Sequence, residues 1–297
     1  MLHHMMPTKL PDSIKREEER KYWYANGQLQ GQVFYRDGKE EGEHKFWYEN
    51  GQPREQAFYR DGKLEEERKY WYKNGQIRVH EFYRDGKREG EYKYWYENGQ
   101  LYEQSFYRNG KREGEHKSWY ENGQLHEQVF YRNGKEEGEY KSWHANGQLY
   151  EQLFYRDGKS EEKCKVWYAN GQLWEQLFHR NGKWEGEYKR WHEYGQLWEQ
   201  EFYRDGKREG KCTSWHTNGR PYMQTFYRDG KLEGILKEWN ENGHLLKRKF
   251  CRNGISVCDN FNFSKKCLFL RLVKCCRKRI TDPINIILIS DLAKLVS

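Results

Sequence analysis

Apolar and polar positions along the chain return in one fixed order. From Phe82 to Gln100 the order reads FYRDGKREGEYKYWYENGQ, two aromatic pairs that each lead through polar residues to a glycine. Tryptophan stands at Trp23, Trp47, Trp71, Trp95, Trp119, Trp143, Trp167, Trp191, Trp215 and Trp239, a constant step of 24 residues. Phenylalanine keeps the same step from Phe34 to Phe250. A constant period of roughly 20 to 50 residues marks a repeat array. Asn-Gly and Asp-Gly between aromatic, strand-like runs signal hairpins, because a type I′ turn needs positive φ at both central positions. The signal occurs twice per period, first at Gly27 and Gly51 after Asn, and at Gly38 and Gly62 after Asp. Each period is therefore one β-hairpin, and the pattern predicts an all-β antiparallel meander of about ten hairpins.

Strands spaced about 4.8 Å apart make ten hairpins about 100 Å long, an elongated and twisted single layer. The Trp and Phe positions then recur as aromatic rungs. One buried Trp hides up to about 250 Å², on the order of 5 kcal/mol. The rungs are expected to hold the sheet together without a second layer, and Tyr24, Tyr35, Tyr48 and Tyr59 to point to the opposite face. A further glycine (Gly42, Gly90, Gly114) becomes Glu at Glu66 and Glu162. That position is read as a bulge or close-packing point without a strict need for positive φ. Variation is concentrated beside each Trp, at Phe46, Tyr70, Ser118, Val166 and Arg190, where binding specificity is expected to sit.

The ends break the pattern. Residues 1–20 are expected to be an N-terminal lead-in with a short helix, and residues 21–259 to hold the ten repeats. Residues 260–297 are expected to form a basic amphipathic tail of two short helices. In the tail Leu268, Phe269, Leu272, Val273, Cys276 and Ile280 share one helical face, and Asp282-Pro283 reads as the cap of the second helix.

The stretch GKREGEYKYWYENGQLYEQSFYRNGK resembles the MORN-repeat variant, a short β-hairpin repeat of the G-x-x-x-G-x-x-x-x-[YW]-Y-x-N-G type. The likeness covers about residues 21–259. Such arrays occur in bacteria and abundantly in large DNA viruses of amoebae, and this chain is similar to that group. The resemblance implies a twisted single-sheet repeat and a non-enzymatic role in protein–protein association or peripheral membrane contact. Some bacterial relatives are described as antitoxins, which implies a third role.

Composition narrows the function classes. Charged residues make up 34% of the chain, but aromatic residues reach 17%, which argues for a folded chain. The net charge of +8 is uneven. Residues 260–297 carry eight bases against Asp282 and Asp291, a net +6, which leaves +2 for residues 1–259. A near-neutral array lacks the basic stripe of a nucleic-acid reader, so no nucleic-acid partner is expected. The seven cysteines lack any C-x-x-C pair and read as reduced thiols in a cytoplasmic compartment, the host cytoplasm if the source is viral. Met1–Leu10 lacks the apolar core of a signal peptide.

No nucleophile elbow, phosphate loop or zinc-helix motif is present, and the repeated Glu and His positions do not form one unique site. No catalytic residue, cofactor or metal is expected. The expected function is a scaffold that binds an unknown protein partner along an aromatic and polar β-surface. The alternative is a peripheral membrane protein. Lys265, Lys266, Arg271, Lys274, Arg277, Lys278 and Arg279 would then contact anionic lipid at a membrane surface.

Overall fold

The structure is a computed structural model and describes residues 17–259. The expected tail helices, the seven candidate membrane-contact bases and the lead-in up to residue 16 lie outside the described residues. The described residues fall into two compact units, divided between Lys183 and Trp184.

Every described strand is antiparallel to its neighbours. In the first unit a Trp strand such as Gly42–Trp47 pairs with the following Phe strand, Pro53–Arg60. The first Trp strand, Glu17–Trp23, starts within the stretch expected as lead-in. The second unit repeats the plan with Gly186–Trp191, Leu197–Arg204, Gly210–Trp215, Pro221–Arg228, Gly234–Trp239 and Leu245–Arg252, then adds Ile255–Asp259. The hairpin meander read from turn chemistry is therefore the fold of the described region.

The two turns of each repeat differ. At the Asp-Gly end both residues take positive φ, +53° at Asp37 and +79° at Gly38, as type I′ requires. At the Asn-Gly end only the glycine does, +84° at Gly27. The Gly27 amide donates to the Tyr24 carbonyl at 2.9 Å, and Tyr24 N–H donates to the Gln28 carbonyl at 2.9 Å. This is a longer loop, a turn followed by a left-handed glycine, and not the expected type I′ turn. Asn26 supports this loop: its Oδ1 accepts from the Gln28 amide at 3.0 Å, so the asparagine caps its own loop.

Between the Lys39–Glu40 bridge and Gly42 the Trp strand carries extra residues. Gln32 pairs with Lys45 while Tyr35 pairs with Glu40, so two more residues are used on that side. The bulge was anticipated; its backbone was not. Gly42 lies at φ +78°, and Glu66 and Glu162 take +58° and +62° at the same place. The position requires positive φ, and the two glutamates bear its cost, about 1 to 2 kcal/mol each.

The bulge leaves one glutamate aimed at the next turn. Glu41 accepts from the Asp61 amide at 3.0 Å, and the Glu40 carbonyl accepts from the Gly62 amide at 2.8 Å. The same glutamate recurs at Glu65, Glu89, Glu113, Glu137 and Glu161 in the first unit, with distances of 2.7–2.9 Å. It recurs at Glu185, Glu209 and Glu233 in the second. A matching clasp runs along the other edge, where Tyr48 Oη donates to the Trp71 carbonyl at 2.7 Å and Asn50 Nδ2 to the Lys73 carbonyl at 2.9 Å. Both turn rows are thus tied from repeat to repeat by side-chain hydrogen bonds.

Burial is one-sided, and not on the expected side. Register puts Val33, Ala57, Val79, Ser105, Val129, Leu153 and Leu177, or their strand partners such as His44, on one face. Val129 is 0% exposed, although no second layer covers it among the described residues. The face is covered by its own long side chains: His116 pairs with Val129, its ring lies 6.0 Å from that of Tyr131, and Arg112 stands over Tyr131 at 5.4 Å, which leaves room for small side chains at the centre. Trp and Phe alternate to the other face. Phe106 and Phe130 there remain 44% exposed, while in the 24-residue tryptophan series Trp47 to Trp239 are half-buried and only Trp23, on the first described strand, is exposed. The aromatic rungs therefore flank the sheet and do not form its core.

Glu66→Gly and Glu162→Gly should each raise stability by about 1 kcal/mol, read as a higher urea midpoint, since the exposed ion pairs lost with Arg60 and Arg156 are worth less. An unchanged or lower midpoint would refute the cost assigned to the left-handed glutamates. Glu113→Ala should weaken the turn row by about 1 kcal/mol and speed hydrogen exchange at the Asn133 amide, leaving amides two repeats away unchanged.

Candidate functional site

The buried face is a paired polar core as much as an apolar one. Glu81, 2% exposed, accepts from Arg88 Nε at 2.8 Å and lies 4.0 Å from Arg68, which in turn holds Glu55 at 2.7 Å. In the second unit Glu201 accepts from Arg208 at 3.0 Å and from Tyr203 Oη at 2.6 Å. Burial pushes the Cys164 thiol up to about 12, with Glu151 beside it adding to the shift. The thiol is therefore not a nucleophile at neutral pH. The residues expected to carry specificity beside each Trp belong to this face. Ser118 and Val166 are buried, and Phe46 packs where Gly31 leaves room: a Cβ at Gly31 would sit 2.6 Å from the Phe46 ring. Phe46, Tyr70 and Arg190 on the same face are half-buried.

One constellation on this face resembles a hydrolase triad. Ser105 Oγ lies 2.7 Å from His116 Nδ1, and Glu127 lies 3.7 Å from His116 Nε2. The Ser105 hydroxyl donates to Glu103 at 3.0 Å, so towards His116 it accepts, the reverse of what a general base requires. Ser105 is also 1% exposed, which bars substrate. Among the described residues no group of three or more His, Cys, Asp or Glu side chains is arranged to hold a metal ion.

The opposite face is the candidate site. It carries the Phe rungs and, between them, a repeated trio. Glu43 accepts from Lys45 Nζ at 2.7 Å on its own strand and from Gln56 Nε2 at 2.5 Å across the pair. The trio recurs around Glu19, Glu91, Glu115 and Glu139, with Lys contacts of 2.7–3.0 Å and Gln contacts of 2.5–2.6 Å. At Glu67 the ring of His80 replaces Gln, at 2.6 Å. In the second unit Glu187 is held by Lys189 and Gln200. The face is thus apolar rings alternating with charges that neutralise each other. Trp23, Trp47 and the other array tryptophans share this face by strand alternation. Gly27, Gly38, Gly51 and Gly62 sit in the turns at its margins, all at positive φ.

A third aromatic row, not anticipated, borders the Asn-Gly edge. Tyr102 packs edge-on against Tyr96 at 5.1 Å, His126 against Tyr120 at 4.6 Å and Tyr150 against His144 at 4.9 Å, with Tyr222 against His216 in the second unit. The residue after Asn-Gly-Gln-Leu is an aromatic or His at Tyr102, His126, Tyr150 and Trp174, a periodic signal that was legible.

The Lys117 hydrogen bond holds the Glu115 carboxyl below the ordinary glutamate value, with Gln128 adding and partial burial opposing; Lys141 and Gln152 do the same for Glu139. A lowered folded-state value contributes stability that is complete above the unfolded value and lost as pH falls through the folded one. Burial holds Glu151 and Glu136 above the ordinary value, which acts in the opposite sense. The urea midpoint should fall between about pH 5 and about pH 3, and Glu115→Gln with Glu139→Gln should flatten that slope; an unaltered slope would refute the assignment to the trios.

The comparisons with known proteins bear on the repeat. The profile described as MORN repeat variant matches eight tandem segments, 19–37, 40–61, 67–85, 88–109, 112–133, 136–157, 163–183 and 184–205. No match is found among curated proteins. Among solved structures the chain is similar to one described as the crystal structure of TcdB2-TccC3, at 11% identity. The match covers 81% of this chain and 15% of that one, with a TM-score of 0.19, too weak a likeness to bear on fold or function. The matched segments coincide with the hairpins and their clasped turns, so the chain belongs to the MORN repeat variant family.

Proposed function

We propose that this repeat scaffold binds a partner protein along the Phe-bearing face. The observation that carries the reading is the half-exposed Phe row. Phe34, Phe106 and Phe130 in the first unit, and Phe202 and Phe226 in the second, stand in equivalent positions and each leave a ring partly in solvent. A ring of about 200 Å² at 40% exposure offers about 80 Å² of apolar surface. Single contacts of this size are weak, and a regular row lets them add on one extended partner. The Lys–Glu–Gln trios support the same reading, since paired charges between the rings cost less to cover than lone ones.

Phe106→Ser with Phe130→Ser should weaken capture of the partner by at least about tenfold while the melting temperature and far-ultraviolet spectrum stay near wild type. Tyr194→Ser, at an exposed turn of the second unit, should leave capture unchanged. Equal capture by wild type and the double Phe variant would sink this face as the binding surface.

A further inference from the structure

A strictly periodic face has no preferred register, because a partner can shift by one repeat and find the same contacts. In the first unit one repeat reverses the charge at one position of that face. The position held by glutamate at Glu19, Glu43, Glu67, Glu91, Glu115 and Glu139 is Lys163 in the seventh strand of the series. The rest of the trio is intact: Lys165 and Gln176 face each other across the strand pair as Lys45 and Gln56 do. Neither side chain has a hydrogen bond or ion pair among the described residues. The Lys163 ammonium instead lies over the Phe178 ring, 5.6 Å from its centre.

The surroundings add shape. An open depression of about 400 Å³ is bordered by Lys163, Lys165, Phe154 and Gln152. Glu139 and Glu162 also line it, but each is engaged: Glu139 by Lys141 at 2.8 Å and Gln152 at 2.5 Å, and Glu162 by Arg156 at 3.9 Å. The two lysines are the cations of the depression that no carboxylate answers. Residues two apart on one strand sit about 7 Å apart on the same face, so one carboxylate can lie between both ammonium groups.

We infer that Lys163, Lys165 and Gln176 form a seat for a carboxylate side chain of the partner protein, and that this seat sets the partner's register on the Phe row. The inference rests on the partner-binding reading above and names the chemistry of one point of contact. The chain supplies its own template. In five other repeats of the first unit the same Lys and Gln hold a glutamate carboxylate, at 2.7–3.0 Å and 2.5–2.6 Å. With lysine in place of that glutamate, the carboxylate comes from outside, and a second ammonium attracts it. Two single-point cations and an amide suit one carboxylate beside an apolar residue on Phe154 or Phe178. They lack the guanidinium fork and converging amides that favour phosphate.

The test uses the full chain and a fluorescent peptide of alternating Val and Glu, with a Val–Gln peptide as control. The Glu peptide should bind at least about tenfold more tightly than the Gln peptide, and more weakly as salt rises. Lys163→Glu rebuilds the trio with Lys165 and Gln176, so it should melt no lower than wild type and lose binding about tenfold or more. Equal binding of the two peptides, no binding of the Glu peptide up to about 1 mM, or binding undiminished by Lys163→Glu would each overturn the inference. Stronger competition by inorganic phosphate than by acetate would overturn the carboxylate assignment. Peptide binding lost in Phe106→Ser with Phe130→Ser but kept in Lys163→Glu would leave the Phe-face reading standing and remove the seat. The converse pattern would keep the seat and remove the Phe-row reading.

Discussion

A single layer of antiparallel strands has no partner layer, so whatever it buries it must bury against itself. That constraint explains the division of labour between the two faces. The crowded face takes small side chains at its centre, Ala57, Ser105 and Val129 among them, and admits large or charged groups only when neighbours answer them. Glu81 and Glu201 are nearly solvent-free and each is met by an arginine, which is the condition under which a buried carboxylate is tolerated. The aromatic rungs go to the open face, where there is space for them.

Self-burial also needs the repeats to stay aligned, and two rows of side-chain hydrogen bonds accomplish this at the turns. The bulge before each Trp strand turns a glutamate towards the amide of the next Asp-Gly turn. At the other margin Tyr or His reaches the carbonyl of the next Trp, as Tyr72 does to Trp95 at 2.6 Å and His144 to Trp167 at 2.9 Å. Free amides and carbonyls at turns would otherwise depend on water. Clasped in this way, each hairpin carries the alignment of the one before it, as expected of an array whose units contact only their neighbours.

The same plan leaves the open face accessible. Because alignment is secured at the turns and burial on the crowded face, positions of the open face can vary at small cost to the fold. Lys163 illustrates this freedom. A glutamate-to-lysine change on the buried face would strand a charge, whereas here it alters only the local field of an accessible surface.

The sequence by itself determined the hairpin, its 24-residue length and the antiparallel order, because turn chemistry and alternation act within a few residues. It also displayed the recurrent glutamates Glu41, Glu65 and Glu89 and the aromatics after Asn-Gly-Gln-Leu, although their roles were not legible. Those roles depend on partners 20 to 23 residues away, brought near only when one hairpin stacks on the next. Which face is buried was likewise decided by the tertiary structure. Alternation separates Phe34 from Val33 but cannot say which of them is buried. Even the left-handed backbone at Glu66 follows from the bulge that the pairing imposes, since glutamate has no local preference for it.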